Sequence, residues 1–135
     1  MNDPIQYTLE DKILIRDRYS LYSDAVFQAD KDKWLACWSD AGAWFVFGQE
    51  VKGKAALSAQ WDATWNTIDK MAFFSEIGDI SISTDMASVR SYCREVVAFT
   101  NGTVLKVVAQ YDDELIKKDG NWLFSKRKYT VLIKE

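Results

Sequence analysis

The sequence contains no histidine among its 135 residues. Imidazole is the usual general base near neutral pH and the commonest nitrogen ligand of metal ions. Acid–base chemistry would therefore fall to carboxylates, tyrosines, lysines or a cysteine, and we expect neither a metal nor an organic cofactor. The two cysteines, Cys37 and Cys93, form no C-x-x-C pair, so the sequence indicates neither a zinc site nor a redox motif. We expect both to be reduced and buried.

Excess basic charge and long apolar segments are also missing. The chain has 17 basic and 20 acidic residues, and its net charge of -3 argues against nucleic acid as a partner. No stretch approaches the roughly 18 apolar residues of a membrane span. Residues 1–4 show no basic segment followed by an apolar run, as a secretion signal would. We therefore expect a cytoplasmic protein that does not enter a membrane.

Proline is nearly absent, and no linker divides the chain. The single proline is Pro4, and no repeat or low-complexity tract is found. One domain over residues 1–135 is predicted, which is long enough to bury an apolar core. Helical patterns come first and strand patterns follow, an order typical of an α+β fold.

Apolar spacing predicts three helices in the first half of the chain. The first covers residues 9–28, with Leu14, Leu21 and Tyr22 on its buried side and Asp11 on its polar side. The second covers residues 31–38 and is ended by residues 39–42. A hairpin over residues 43–51 is predicted to turn near Gly48-Gln49-Glu50. The third helix opens at Gly53, and its buried stripe is Leu57, Trp61, Trp65 and Ile68.

The second half of the chain predicts four long strands, over residues 72–83, 87–99, 104–117 and 122–133. Asn101-Gly102 and Asp119-Gly120 supply the turns between the last three. The strands form an antiparallel meander, and the twist of such a sheet would curl it around the three helices into a cone.

Period-2 alternation places three candidate acid–base side chains inside this cone. These are Glu95 on one strand and Tyr111 and Asp113 on the next. A carboxylate among aromatic rings would have a raised pKa, which suits a general acid or base near neutral pH. We therefore select Glu95, Asp113 and Tyr111 as catalytic candidates.

A structural interpretation of the same residues stays open. Glu95 could pair with Arg94 or Arg127, or a bulge could turn it outward, since a slip of one residue reverses every face of a strand. The basic run Lys126, Arg127 and Lys128 is interpreted as a solvated edge. Most of the six tryptophans would by default be core residues. Several of them together could also wall a cavity for a flat apolar ligand.

Several stretches of the chain, in their order and spacing, match one known family. They are Arg18-Tyr19 with Tyr22-Ser23-Asp24-Ala25, Asp30 through Asp40-Ala41 to Ala43-Trp44, Gly53, residues 78–92, Tyr111-Asp112-Asp113-Glu114-Leu115 and Asp119-Gly120-Asn121-Trp122. With these stretches the chain resembles the nuclear-transport-factor-2-like superfamily, in its polyketide-cyclase-like and scytalone-dehydratase-like branch. The resemblance implies a cone-shaped α+β fold whose hollow holds a small, mostly apolar molecule, often in a homodimer or homotrimer.

The resemblance also locates two positions at which this chain departs from the family. Dehydratase-like members pair an aspartate near the end of the first helix with a histidine on the strand after the third helix. Here those positions fall at Phe27 and at Ala72, beside Phe73. The common mechanism of that branch is therefore not expected, although Asp24, which we interpret as a solvated residue, could substitute for the aspartate. With the family comparison included, the ligand-binding candidates are Tyr22, Phe27, Trp44, Trp61, Trp65 and Ala72.

Three functions remain open from the sequence. The first is a cofactor-independent dehydratase, isomerase or cyclase acting on a flat apolar substrate. The second is a non-catalytic module that binds a hydrophobic or aromatic molecule. The third is an interaction role, in which the outer face of the sheet forms a homodimer or homotrimer, since an apolar strip is predicted there. That strip consists of Tyr92, Val96, Val104 and Val108.

Overall fold

The computed structural model describes the backbone of residues 4–135 and the side chains of residues 8–135. Residues 1–3, on which part of the secretion-signal argument depends, lie outside that range. None of the described helices is both long and apolar enough to cross a membrane. The elements in chain order are α1 (Pro4–Phe27), α2 (Lys31–Leu35), β1 (Trp38–Val46), β2 (Gln49–Lys52), α3 (Lys54–Trp65), β3 (Ile68–Ser83), β4 (Met86–Phe99), β5 (Val104–Lys118) and β6 (Asn121–Lys134).

The six strands form one curved, unclosed sheet in the order β2-β1-β6-β5-β4-β3. The predicted α+β architecture, with three helices against the curved sheet, is confirmed. β3 to β6 form the predicted antiparallel meander, and the antiparallel hairpin of β1 and β2 pairs with it through β1 and β6, which run parallel. The last strand thereby joins the N-terminal hairpin to the long strands, so that all six strands contribute to a single concave face.

The second helix is shorter than predicted because the last residue of the predicted helix, Trp38, begins strand β1 instead. α2 begins at an N-cap, Asp30, whose carboxylate accepts a hydrogen bond from the backbone N–H of Lys33 at 3.1 Å. It ends at Leu35, where the chain turns into β1. The Phe124 N–H donates to the carbonyl of Cys37 at 2.9 Å, and Trp38 pairs with Phe124. β3 begins earlier than predicted, at Ile68 instead of residue 72.

The buried side of α1 is rotated from the predicted one. Leu14 and Leu21 are more than a third exposed, whereas Asp11 is buried. The Asp11 carboxylate accepts hydrogen bonds from Trp122 Nε1 and Lys117 Nζ, both at 3.0 Å. A buried carboxylate with two donors is tolerated in a core, and this contact with β5 and β6 sets the rotation. Tyr22 is buried, as predicted.

The turns between strands follow their residue types. Phe47 and Gly48 connect β1 to β2 with φ angles of 56° and 71°, so the turn lies one residue before the predicted one. Asp119 and Gly120 connect β5 to β6 with φ angles of 51° and 79°. Positive φ at both central residues is typical of a two-residue hairpin turn. The Asp-Gly prediction is therefore confirmed.

Alternation along β4 and β5 holds as predicted. The two strands pair without a register shift, and Glu95 lies opposite Val107 while Ser91 lies opposite Tyr111. The inward positions are buried or half-buried throughout. On the outer face Val104 is exposed, while Tyr92, Val96 and Val108 are half-buried. Association of copies through that face stays a prediction.

Candidate active site

A cavity of about 690 Å³ lies on the concave side of the sheet. This volume is within the usual range of sites for small molecules. All three helices and the strands β1 and β3 to β6 contribute to its wall, which is mostly apolar. Six of the predicted site residues line it, namely Tyr22, Trp44, Trp61, Trp65, Glu95 and Tyr111.

Glu95 is the one carboxylate in the wall of this cavity among residues 8–135. It lies on β4 between Phe73 of β3 and Val107 of β5, and burial raises the pKa of its carboxyl group. Its Oε2 accepts a hydrogen bond of 2.5 Å from the Tyr129 hydroxyl, which limits the rise. With Oε2 held by this bond, Oε1 is left to act on a ligand. Such a carboxylate can act as a base near neutral pH.

Tyr111 lies beside this pair and is tied to the opposite wall. Its ring packs against that of Tyr129 with centroids 5.1 Å apart, and its hydroxyl accepts a hydrogen bond of 3.1 Å from Trp44 Nε1. Burial raises the pKa of Tyr111 well above its ordinary value, so the phenol stays protonated. Tyr111 can therefore donate a hydrogen bond to a ligand but cannot serve as an ionised base.

Asp113 does not share this cavity. Its Oδ1 accepts a hydrogen bond from Arg127 Nε at 2.8 Å, and its Oδ2 accepts from Arg127 Nη2 at 3.1 Å and Ser91 Oγ at 3.0 Å. The Tyr19 hydroxyl donates to the same Oδ2. All four side chains are buried, so the carboxylate is saturated by donors away from the ligand space. The prediction that Asp113 lines the hollow with Glu95 and Tyr111 is wrong, and the residue anchors Arg127.

Arg127 lies beneath the cavity wall as a buried cation. Its Cζ is 3.7 Å from the ring centroid of Tyr111, 4.4 Å from that of Phe124 and 4.5 Å from that of Tyr22. Burial lowers the pKa of the guanidinium, but the Asp113 carboxylate and the neighbouring tyrosines together raise it by more, so Arg127 stays charged. Aromatic faces attract a cation in this position. The guanidinium thus fixes the rings of two tyrosines that face the ligand space.

The residues of the site do not form a metal centre. Residues 8–135 contain no group of three or more His, Cys, Asp or Glu side chains placed to hold a metal ion.

Cys93 lies on the same strand as Glu95, and burial raises the pKa of the Cys93 thiol to about 12. A thiol with that pKa is neutral near pH 7, so Cys93 is a packing residue.

Comparison with known proteins identifies the family. A model described as SnoaL-like domain matches residues 7–128. The chain belongs to the SnoaL-like domain family. This membership confirms the resemblance to the nuclear-transport-factor-2-like superfamily. No curated protein matches the chain in sequence.

Solved structures share the fold of this SnoaL-like domain at low identity. A Novosphingobium aromaticivorans protein provisionally assigned as a scytalone dehydratase has a TM-score of 0.90 and 18% identity, covering 97% of this chain and 90% of its own. The type 2 hexachlorocyclohexane dehydrochlorinase LinA has a TM-score of 0.86 and 17% identity, covering 95% and 89%. A Mycobacterium tuberculosis protein of unknown function has a TM-score of 0.81 and 23% identity, covering 96% and 76%.

Two ligand-binding candidates of the SnoaL-like domain lie outside the cavity wall. Phe27 is the last residue of α1 and is 42% exposed, with its ring edge-on to Phe74 at a centroid distance of 5.2 Å. Ala72 is half-buried and does not contact the hollow, because alternation along β3 turns its neighbour Phe73 inward instead. Both placements correct the prediction. Asp24 is exposed and pairs with Lys33, which confirms the solvated interpretation.

Sequence reasoning did not select Tyr129, and it considered Arg127 only as a structural partner of Glu95 or as part of a solvated edge, whereas Arg127 pairs with Asp113. Strict alternation from Trp122 and Phe124 would turn both outward. The register of β6 shifts between Phe124 and Lys126, where the Ser125 hydroxyl donates to the carbonyl of Glu114. This bulge reverses the parity, so Arg127 is fully buried and the solvated-edge interpretation is wrong for it. The residues at the bulge carry no sequence signal that marks it.

We expect the Tyr129→Phe variant of the SnoaL-like domain to raise the pKa of Glu95. The tyrosine hydroxyl donates to the carboxylate and so favours its ionised form, while phenylalanine keeps the ring and removes the donor. Titration of ¹³C-labelled glutamate side chains by NMR measures the pKa, with the Glu95 signal assigned by its loss in Glu95→Gln. Tyr92→Phe, on the outer face, is the control. A Glu95 pKa unchanged in Tyr129→Phe would contradict the assigned hydrogen bond.

Proposed function

We propose that the protein is a cofactor-independent lyase or isomerase that acts on a flat apolar substrate, with Glu95 as the base. One observation carries this proposal: a desolvated carboxylate, held through one oxygen by Tyr129, lies in the wall of a largely aromatic cavity. Two similar structures are named as a dehydratase and a dehydrochlorinase, names that denote elimination reactions. Their likeness to this chain supports the class of reaction and leaves its substrate open.

The chemistry begins with removal of a proton from carbon. Glu95 takes the proton on Oε1, and the electron pair of the C–H bond moves into the substrate. In an elimination this pair forms a double bond while a leaving group departs with its own bonding pair. In an isomerisation the protonated Glu95 returns the proton to another carbon. A raised pKa favours both steps, because the carboxylate is then a stronger base and the acid form persists to higher pH.

The wall around Glu95 suits a ring-shaped substrate. Trp44, Trp61 and Trp65 line the hollow, and Trp61 and Trp65 lie with ring centroids 5.3 Å apart. Flat aromatic faces favour a flat apolar ligand by dispersion and by release of water. The same wall excludes water from Glu95, which maintains the raised pKa.

Exchange of carbon-bound hydrogen for deuterium tests this proposal without knowledge of the natural substrate. We expect the protein to accelerate deuterium incorporation into 2-tetralone in D₂O above the rate given by an equal concentration of free glutamate, as followed by ¹H NMR. Excess naphthalene should inhibit the reaction by filling the cavity. A rate equal to that of free glutamate would remove Glu95 as a catalytic base.

A non-catalytic role in binding hydrophobic ligands is the second candidate. The observation that favours it is the apolar character of Phe27 and Ala72, where dehydratase-like relatives are expected to carry an acid–base pair. The two candidates share the cavity and differ in turnover. Quenching of tryptophan fluorescence by 2-tetralone that saturates, combined with no accelerated exchange, would favour the binding role.

A further inference from the structure

Among residues 8–135, Lys134 is the one cation in the wall of the cavity. It is the last residue of β6 and is exposed. The exposed residues of the wall mark the mouth of the cavity, where Lys134 lies with Phe47, Thr67 and Val131. The mouth therefore carries a positive charge above a mostly apolar interior.

Strand register places Lys134 in one row with Glu95. Val107 of β5 pairs with Glu95 on β4 and with Lys134 on β6. Residues directly opposite each other in antiparallel strands project from the same face of the sheet. The two ends of the row are two strand spacings apart, so the backbones of Glu95 and Lys134 lie roughly 10 Å from each other. The row thus has the proposed base at one end and a cation at the other.

A bulge near the end of β6 turns Lys134 toward the cavity. The pairing of β5 with β6 shifts between Val131 and Ile133, so Leu132 is an extra residue in the strand. Counting by two from Val131, which lines the cavity, would turn Ile133 inward and Lys134 outward. Instead Ile133 is 55% exposed and Lys134 lines the cavity. Bulges next to binding sites re-aim a side chain in this way.

The charge of Lys134 is not used by another side chain. None of the ion pairs among residues 8–135 involves it. Glu95, the carboxylate of the same row, is held by the Tyr129 hydroxyl and is influenced by the charge of Arg127. A lysine ammonium group has three N–H donors and no acceptor. Lys134 is therefore open to an anion at the mouth of the cavity.

We propose that Lys134 binds an anionic group of the substrate, so that the substrate is a flat apolar compound with one carboxylate. A carboxylate deep in the cavity would lie among apolar side chains and near the negative Glu95, both of which cost free energy. At the mouth it meets Lys134 and water, and the apolar rings extend inward to Glu95. One ammonium group matches the single charge of a carboxylate. This inference rests on the proposed function and adds the class of substrate to it.

Equilibrium binding of two probes of similar shape tests the inference. 2-Naphthoate carries the carboxylate, and 2-naphthamide is its neutral counterpart. Isothermal titration calorimetry at pH 7 and low ionic strength gives the ratio of Kd for the amide to Kd for the carboxylate. We expect this ratio to be about two- to fivefold lower in Lys134→Gln than in the wild type, the effect of an ion pair at a solvent-accessible site.

Two control variants separate a contact with Lys134 from a general effect of charge. Lys134→Arg keeps the cation and should keep most of the wild-type ratio. Lys128→Gln removes an exposed cation of the same strand that does not line the cavity, and it should leave the ratio unchanged. Added sodium chloride should lower the wild-type ratio toward that of Lys134→Gln, because salt screens exposed charges.

Two results would overturn the inference. One is a ratio that Lys134→Gln lowers no more than Lys128→Gln does, and the other is no binding of 2-naphthoate up to its solubility limit. The measurement involves no turnover. Either result together with accelerated deuterium exchange in 2-tetralone would leave the proposed function standing. A fall in the ratio confined to Lys134→Gln, without accelerated exchange, would count against the proposed function and not against the anion site.

Discussion

Replacing Arg127 with methionine should lower the free energy of unfolding by about 3–5 kcal/mol. The guanidinium donates two hydrogen bonds to Asp113, and both side chains are buried. Methionine fills much of the volume but leaves the Asp113 carboxylate in the core without its cation. Ser91 and Tyr19 still donate to it, yet neither carries charge. Urea denaturation at pH 7 followed by tryptophan fluorescence measures the change.

Two further variants separate the lost ion pair from lost packing. Lys128→Met removes a neighbouring exposed cation and should alter the unfolding free energy by less than about 0.5 kcal/mol. Combining Arg127→Met with Asp113→Leu removes both charges and should recover part of the loss, since apolar replacement of a whole buried pair is often close to neutral. An Arg127→Met cost below about 1 kcal/mol would contradict the account of Asp113 as a carboxylate that depends on this cation.

The half of the site on β4 and β5 could be predicted from the sequence because its alternation is uninterrupted. The two strands pair without a register shift, so counting by two from Ala87 reaches Glu95 and counting from Leu115 reaches Tyr111. Glycine turn residues at each end of β5 fixed the strand limits. The aromatic wall on α3 could be predicted from helical spacing, since Trp61 lies one helical turn before Trp65.

The half of the site on β6 could not be predicted because the position of a bulge is determined by tertiary contacts and not by the local sequence. At Ser125 one extra residue enters the strand, and the side chains after it point to the opposite face. The local residues Ser125 and Lys126 carry no signal for this, since neither requires an unusual backbone conformation. Burial of Arg127 depends on Asp113 across the strand pair and on four aromatic rings. The pattern of residues along β6 alone does not reveal these contacts.

The helix α1 shows a similar limit. A wheel scored by hydrophobicity selects Leu14 and Leu21 and rejects Asp11, yet the sheet covers Asp11 and leaves both leucines more than a third exposed. Hydrogen bonds from Lys117 and Trp122 offset the cost of burying that carboxylate. Phe27 was assigned to the cavity through the family comparison, and the end of α1 places it outside.

Replacing Glu95 with glutamine should lower the rate of deuterium exchange by about 10²- to 10⁴-fold, the usual contribution of a positioned general base. Glutamine has nearly the same shape and keeps an oxygen that can accept from Tyr129, so the cavity should persist. In the wild type, exchange should fall as the pH drops through the raised pKa of Glu95, because the protonated carboxyl cannot take a proton. The acid limb should therefore lie above the ordinary value for glutamate.

The same substitution should make the protein more stable near neutral pH. The carboxyl of the unfolded chain titrates near its ordinary value of 4.5, and burial raises the folded pKa above that value. Below both values Glu95 is protonated in each state and wild type and variant should be alike. As the pH rises from about 4.5 through the folded pKa, the wild type loses stability relative to Glu95→Gln. Thermal denaturation at pH 4 and pH 7 measures this. Two results would show that Glu95 is a structural residue and not a desolvated base. One is a Glu95→Gln variant that exchanges deuterium as fast as the wild type. The other is a stability difference, variant minus wild type, that is smaller at pH 7 than at pH 4.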